Sequence, residues 1–292
     1  MQFSKTKTTP QSKFAAIFSL CLGTICSAPS HAASWSTQLW TPGIVATSSS
    51  ALGLDGIHNV IHQQQLVLFK PWAAGVTCGG AAVPVTLTWY DDNGNVVGSS
   101  GTESVAPCGR TIIPAVDQKY SAPEGSHLRL SASSAIVATW TLAPKYEWQV
   151  PILLEQEALD GVNPYVRWVF SDVSYLNNLA SGGTSNGSTP PYANTYSFGS
   201  IQIVNPQSFA VTVDVVLAPD SGATNDTAYT IPARGAKNIR LDSTLPSFTG
   251  QVIVQAQGNN KILVWGYWFQ YPASNSAIAP ALRRLDPIAF NP

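Results

Sequence analysis

The sequence predicts an all-β fold, two tandem antiparallel β-sandwich domains behind a signal peptide. Three observations carry that expectation. Period-2 alternation of apolar and polar residues recurs along the chain, which is the mark of half-buried strands. Clusters of Asp, Asn, Gly and Pro separate the alternating runs. Helical periodicity with caps is nearly absent, and Ile152 to Leu159 is the best helical candidate. The composition agrees: 45% of the 292 residues are hydrophobic and 11% are charged. Normal apolar content with so little charge excludes charge-driven disorder and a coiled coil.

The N-terminal segment 1–33 reads as a signal peptide. Lys5, Lys7 and Lys13 form a positive region, Phe14 to Ala28 an apolar run, and Pro29-Ser30-His31-Ala32-Ala33 a small-residue cleavage region. The run is too short to span a bilayer, and no later stretch reaches that length, so no membrane span is expected. Removing the three lysines from 15 basic residues leaves 12 against 16 acidic, a net charge of −4. No basic stripe remains to neutralise phosphates, which argues against nucleic acid as a partner. The localisation that follows is periplasmic, cell-surface or extracellular. In such a compartment Cys78 and Cys108 are expected to form a disulfide.

The first domain is expected over 34–145. Val83, Val85, Leu87 and Trp89 share one face of 83–90, with Pro84, Thr86, Thr88 and Tyr90 on the other. Asp91-Asp92-Asn93-Gly94-Asn95 then reads as a hairpin turn, and Val96-Val97 begins the return strand. Leu128 and Leu130, then Ile136, Ala138, Trp140 and Leu142, continue the alternation. The second domain, 146–272, repeats the plan with Ile201 to Val204, Val211-Val213-Val215, Val252 to Val254 and Ile262 to Tyr271. It carries a polar loop at 181–194, and 273–292 reads as a C-terminal coil.

The halves align. Leu128 to Ala132, a turn, and Ile136 to Trp140 correspond to Val252 to Ala256, a turn, and Ile262 to Trp265. Val85-Thr86-Leu87 before Asp91-Asp92-Asn93-Gly94 corresponds to Val213-Asp214-Val215 before Pro219-Asp220-Ser221-Gly222. Leu54-Asp55-Gly56-Ile57 corresponds to Leu159-Asp160-Gly161-Val162. Over 83–142 and 199–272 the strand, Asp/Asn-Gly turn and strand order, a Gly before a late hairpin and a Val-rich final strand resemble bacterial secreted immunoglobulin-like, adhesion-type β-sandwich modules. The resemblance implies an architecture used for surface binding or as a spacer. It carries over no functional residue, and fold alone does not fix function.

Chemical constellations are sparse. Gly183-Thr184-Ser185-Asn186-Gly187 matches the hydrolase string G-x-S-x-G but lacks the flanking strand and helix that its chemistry needs. His58 and His62 lie four apart without the Glu of a zinc-protease helix, and His127 is the third histidine after the signal. Asp91 to Asn95, and Asp220 with Asn225 and Asp226, offer too few oxygens for calcium. No metal and no cofactor are expected. Glu155, Glu157 and Asp160 are the acidic group a polysaccharide hydrolase or lyase would draw on.

The aromatic residues are more telling. Trp89, Trp140 and Trp265 alternate with core positions. Trp268 lies beside Gly266 on the opposite face of the last long strand, where a ring can stack on a sugar or a partner side chain. Gln270 and Gln202 add amides to the candidate ligand-binding set, and Arg167, alternating away from Val166 and Trp168, adds a guanidinium. The expected function is an exported, non-catalytic binding or structural protein that meets a glycan or a protein partner. The competing classes are a secreted polysaccharide-active enzyme and a filament subunit that oligomerises through exposed sheet edges.

Overall fold

The computed structural model describes residues 35–43, 62–70, 78–144, 154–176, 195–245, 247–272 and 281–291. Segment 1–33, expected to be a signal peptide, His58 and the 181–194 loop lie outside them, as do the side chains of His62, Glu155 and Gln270.

The first eight strands build one sheet. They are β1 (Ser36–Trp40), β2 (His62–Phe69), β3 (Val83–Tyr90), β4 (Val96–Val105), β5 (Arg110–Pro114), β6 (His127–Pro144), β7 (Leu154–Glu157) and β8 (Leu159–Asp160), with one helical turn, α1 (Val116–Lys119), before β6. The main path is β4-β3-β6-β1-β8, and β2 and β7 flank the far end of β6. At 18 residues, β6 serves two ladders. Its first half pairs with β3 and β1, and its second half with β2 and β7.

Nine further strands follow: β9 (Arg167–Leu176), β10 (Thr195–Val204), β11 (Val211–Pro219), β12 (Asn225–Ile231), β13 (Ala236–Arg240), β14 (Ser247–Ala256), β15 (Leu263–Pro272), β16 (Ala281–Leu285) and β17 (Ile288–Phe290). They form a four-stranded sheet, β13-β10-β15-β16, and a five-stranded sheet, β12-β11-β14-β9-β17. Every ladder is antiparallel. The all-β expectation therefore holds.

Two hydrophobic cores sit inside Ala33–Pro292, which is one compact unit. One gathers Leu39, Leu66, Val85, Leu87, Trp89 and Leu130. The other gathers Phe170, Ile201, Val213, Val254 and Trp265, and also Trp40, Tyr90 and Trp140 from the N-terminal half. Tyr90, expected on the outward face of its strand, is 3% exposed because the end of β3 runs under the second core. β1 splits in the same way, with Leu39 in one core and Trp40 in the other.

Three local expectations are corrected. Residues 154–157 are strand β7, not helix, because they pair with Thr139 to Leu142 of β6; tertiary pairing overrides the local pattern. Both β7 and β8 belong to the first sheet although the sequence groups them with the second half. The expected C-terminal coil contains β16 and β17. Both are short edge strands flanked by Pro280 and Pro287, which an edge tolerates because only one side of the strand is paired.

Cys78 and Cys108 form a disulfide with Cα atoms 5.3 Å apart, joining the chain ahead of β3 to the β4–β5 turn.

Candidate functional site

The four-stranded sheet is covered on both faces, and this redistributes the expected ligand-binding residues. Trp265 is paired with Gln202 and shares its face. Trp265 is 3% exposed and donates from Nε1 to the Glu157 carbonyl at 3.1 Å. Gln202 is 7% exposed, and its Oε1 accepts the Gly43 N–H at 2.7 Å. This face is therefore turned toward the first sheet, and Gln202 is a joint residue rather than a presented amide.

Trp268 lies on the other face, opposite Gly199 and beside Gly266. That face looks toward the five-stranded sheet. A Cβ on Gly266 would come within 2.4 Å of the Phe170 ring, and the Trp268 Nε1 donates to the Ser174 carbonyl of β9 at 2.8 Å. Trp268 is half-buried against the second core. The pattern within β15 identified two faces correctly, but it could not show that both are covered.

Arg167 is on the outward face of the five-stranded sheet, where strand register assembles two parallel rows. One row is Phe290, Arg167, Gln255 and Asp214, each the cross-strand partner of the next. The Arg167 Nε donates to the Gln255 Oε1 at 2.8 Å, a second guanidinium N–H reaches the same oxygen, and the guanidinium lies 5.7 Å from the Phe290 ring centre. Gln257 donates to both Asp214 oxygens, at 2.8 and 3.1 Å. The other row is Ile288, Val169, Ile253 and Val216. Ile288 and Phe290 are exposed and the other three aliphatics are half-buried. Tyr165, exposed, precedes β9 and sets its ring edge-on to the inward-facing Trp168 at 5.5 Å.

Strands about 4.8 Å apart make each row roughly 15 Å long. The result is a flat surface with a guanidinium, amides and a carboxylate fixed by their own hydrogen bonds, beside exposed aliphatic and aromatic groups. Phe290, Gln255, Ile288 and Tyr165 were not singled out from sequence. Phe290 and Ile288 sat in an expected coil, and Arg167 and Gln255 are 88 residues apart, so only the fold joins them.

The described acidic candidates differ in setting. Glu157 is half-buried on β7 opposite Thr139. Asp160 accepts the Val162 N–H at 2.8 Å and the Asn163 side chain at 3.1 Å. Partial burial raises its carboxyl, but hydrogen bonds from Ser36, Val162 and Asn163 outweigh this and hold it below the usual carboxylate range. It is an ionised turn-former near neutrality and a poor proton donor.

Asp91 spends its carboxylate in the same way, on the Asn93 and Asn95 N–H groups and the Asn95 side chain, as the turn reading required. Among the described residues no group of three His, Cys, Asp or Glu side chains is placed to hold a metal ion, and no helix is long and apolar enough to cross a membrane.

No protein-family model and no curated protein matches the chain. Among solved structures it is similar to the crystal structure of Thermotoga maritima 1070, at 12% identity and a TM-score of 0.30, over 42% of this chain and 93% of that one. A likeness of that size establishes no shared fold or activity.

Proposed function

We propose that the chain is an exported, non-catalytic binding protein of the periplasm or cell surface, built from two immunoglobulin-like sandwich units. Its recognition surface is the outward face of β12-β11-β14-β9-β17. The observation that carries this reading is the pre-fixed row Phe290–Arg167–Gln255–Asp214 beside a partly exposed apolar row. Side chains already held in one geometry lose little freedom on binding. A flat face of amides, a guanidinium and rings, on a chain of low charge, suits an uncharged polyhydroxylated polymer, so a glycan is the partner assigned. The Lys-rich, apolar, small-residue order of the N-terminus and the Cys78–Cys108 bridge support export.

The test is a glycan and polysaccharide array with the purified, oxidised protein. Selective binding that falls at least tenfold in Arg167→Ala and Phe290→Ala, with the melting temperature held within about 2 °C, supports the reading. A blank array, or binding that both variants retain, overturns it.

A further inference from the structure

We propose that His127 is an acid-sensitive catch in the joint between the two β-halves, releasing that joint when its ring takes up a proton. The joint is a turn laid on a turn. The β3–β4 turn, Asp91 to Asn95, meets the β12–β13 turn, Pro232 to Gly235. Ala236 donates its N–H to the Asp92 carbonyl at 3.1 Å, and a Cβ on Gly235 would fall 2.4 Å from that same oxygen.

His127, the first residue of β6, closes the contact. Its ring packs against both Trp40 and Tyr90, at 5.7 and 6.0 Å between centres and each inclined by 27°, and those two rings are 5.5 Å from one another, so the three form one cluster. Its Nε2 is 2.8 Å from the Arg234 carbonyl.

That geometry fixes the tautomer. A carbonyl oxygen only accepts, so Nε2 carries the hydrogen and Nδ1 keeps a lone pair. Nδ1 is buried and has no hydrogen-bond partner among the described residues. The residue itself has no exposed surface. A second proton would create a buried N–H with nothing to accept it and a charge cut off from water, which is costly without a paired charge.

The charged groups on the surrounding elements are Asp91 and Asp92 in the first turn, Arg234 and Lys237 around the second, and Arg129 on the same strand. Asp91 is the one whose charge favours the protonated ring, and burial outweighs it, so the ring stays neutral down to about pH 4. The unfolded ring protonates near 6.5, so the closed joint is favoured above that value and is lost progressively below it. Among the described residues, the ties Gln202 to Gly43 and Trp265 to Glu157 also cross the two halves and involve amide, indole and backbone groups that do not titrate in this range. Asp92, pushed up by burial against the pull of Lys237, is the second titrating group at the joint.

The experiment combines ring NMR of His127 in the intact chain with residue-resolved hydrogen exchange between pH 7 and 4. The expected result is that the Gly235 and Ala236 amides lose at least tenfold in protection as the His127 ring protonates, while β3, β11 and β14 stay protected. His127→Gln keeps a donor for the Arg234 carbonyl and removes the titration, and is expected to abolish the effect. Asp92→Asn is expected to preserve it.

Protection at Gly235 and Ala236 that survives His127 protonation overturns the proposal. So does loss from all strands together, or a transition that Asp92→Asn removes and His127→Gln keeps. If His127→Gln does not fold, the coincidence of ring protonation with amide exposure in the natural chain decides the matter by itself.

Discussion

At Gly94 a single missing methyl group governs how the two turns meet. Its φ is +81°, and a Cβ there would stand 1.8 Å from the Ala233 carbonyl oxygen. Gly94→Ala is expected to cost about 2–4 kcal/mol, part from the left-handed backbone and part from displacing the facing turn. Urea denaturation checks this, and a loss under 1 kcal/mol would mean that the turns yield easily. His127 has a related signature in global stability. Its folded pKa lies below its unfolded one, so the unfolded chain binds the extra proton, and stability falls as pH drops from about 6.5 toward 4. The loss amounts to about 3 kcal/mol over that window. The carboxylates held low, Asp91, Glu103 and Asp160, lose their contribution only at lower pH, and Asp92, which burial pushes up, contributes with the opposite sign, so neither adds to the histidine loss. Denaturant midpoints at pH 7 and 4.5 measure the histidine part; equal midpoints would contradict it. Of these residues, the Asp91 to Asn95 turn was legible in the sequence because its chemistry is local. Neither the buried Arg234 contact of His127 nor the Arg167–Gln255 contact was, because their partners lie 107 and 88 residues apart in the chain.

Among the elements, β1 carries the greatest consequence for its length. Five residues place Leu39 in one core and Trp40 in the other, while β6 and β8 pair on either side. Leu39→Ala is expected to cost about 2–5 kcal/mol, and the thermal transition is expected to fall as a single step because the strand ties both cores. Two separated calorimetric transitions would refute that coupling. Most strands could be read from alternation: β3, β11 and β14 keep the pattern almost residue by residue. The pattern misled where a strand end passes under another layer, as at Tyr90, and where both sheet faces are covered, as in β15. It pointed to helix at β7 and to coil at β16 and β17, which are short and take their form from a neighbouring strand.

For the whole molecule, the Cys78–Cys108 bridge closes a 30-residue separation that contains the β3–β4 hairpin. In the chain-entropy account a loop of this length contributes about 3–4 kcal/mol. The Cys78→Ser, Cys108→Ser double variant is therefore expected to melt at least 5 °C lower; an unchanged melting temperature would show that the hairpin is already fixed without the bridge.

Chain order sets a last condition. The ladder partners of β1 are Arg129 to Ile136 on one side and Leu159 to Asp160 on the other. The first described strand to leave the ribosome must therefore wait for some 120 residues of chain before its second neighbour exists. Leu39 and Trp40 spend that interval uncovered. Late closure of such distant pairs makes folding slow and leaves apolar surface open to capture by other chains. The step that completes the first sheet is thus the insertion of its earliest-made strand, and a nascent chain interrupted before Asp160 has no finished slot to receive it.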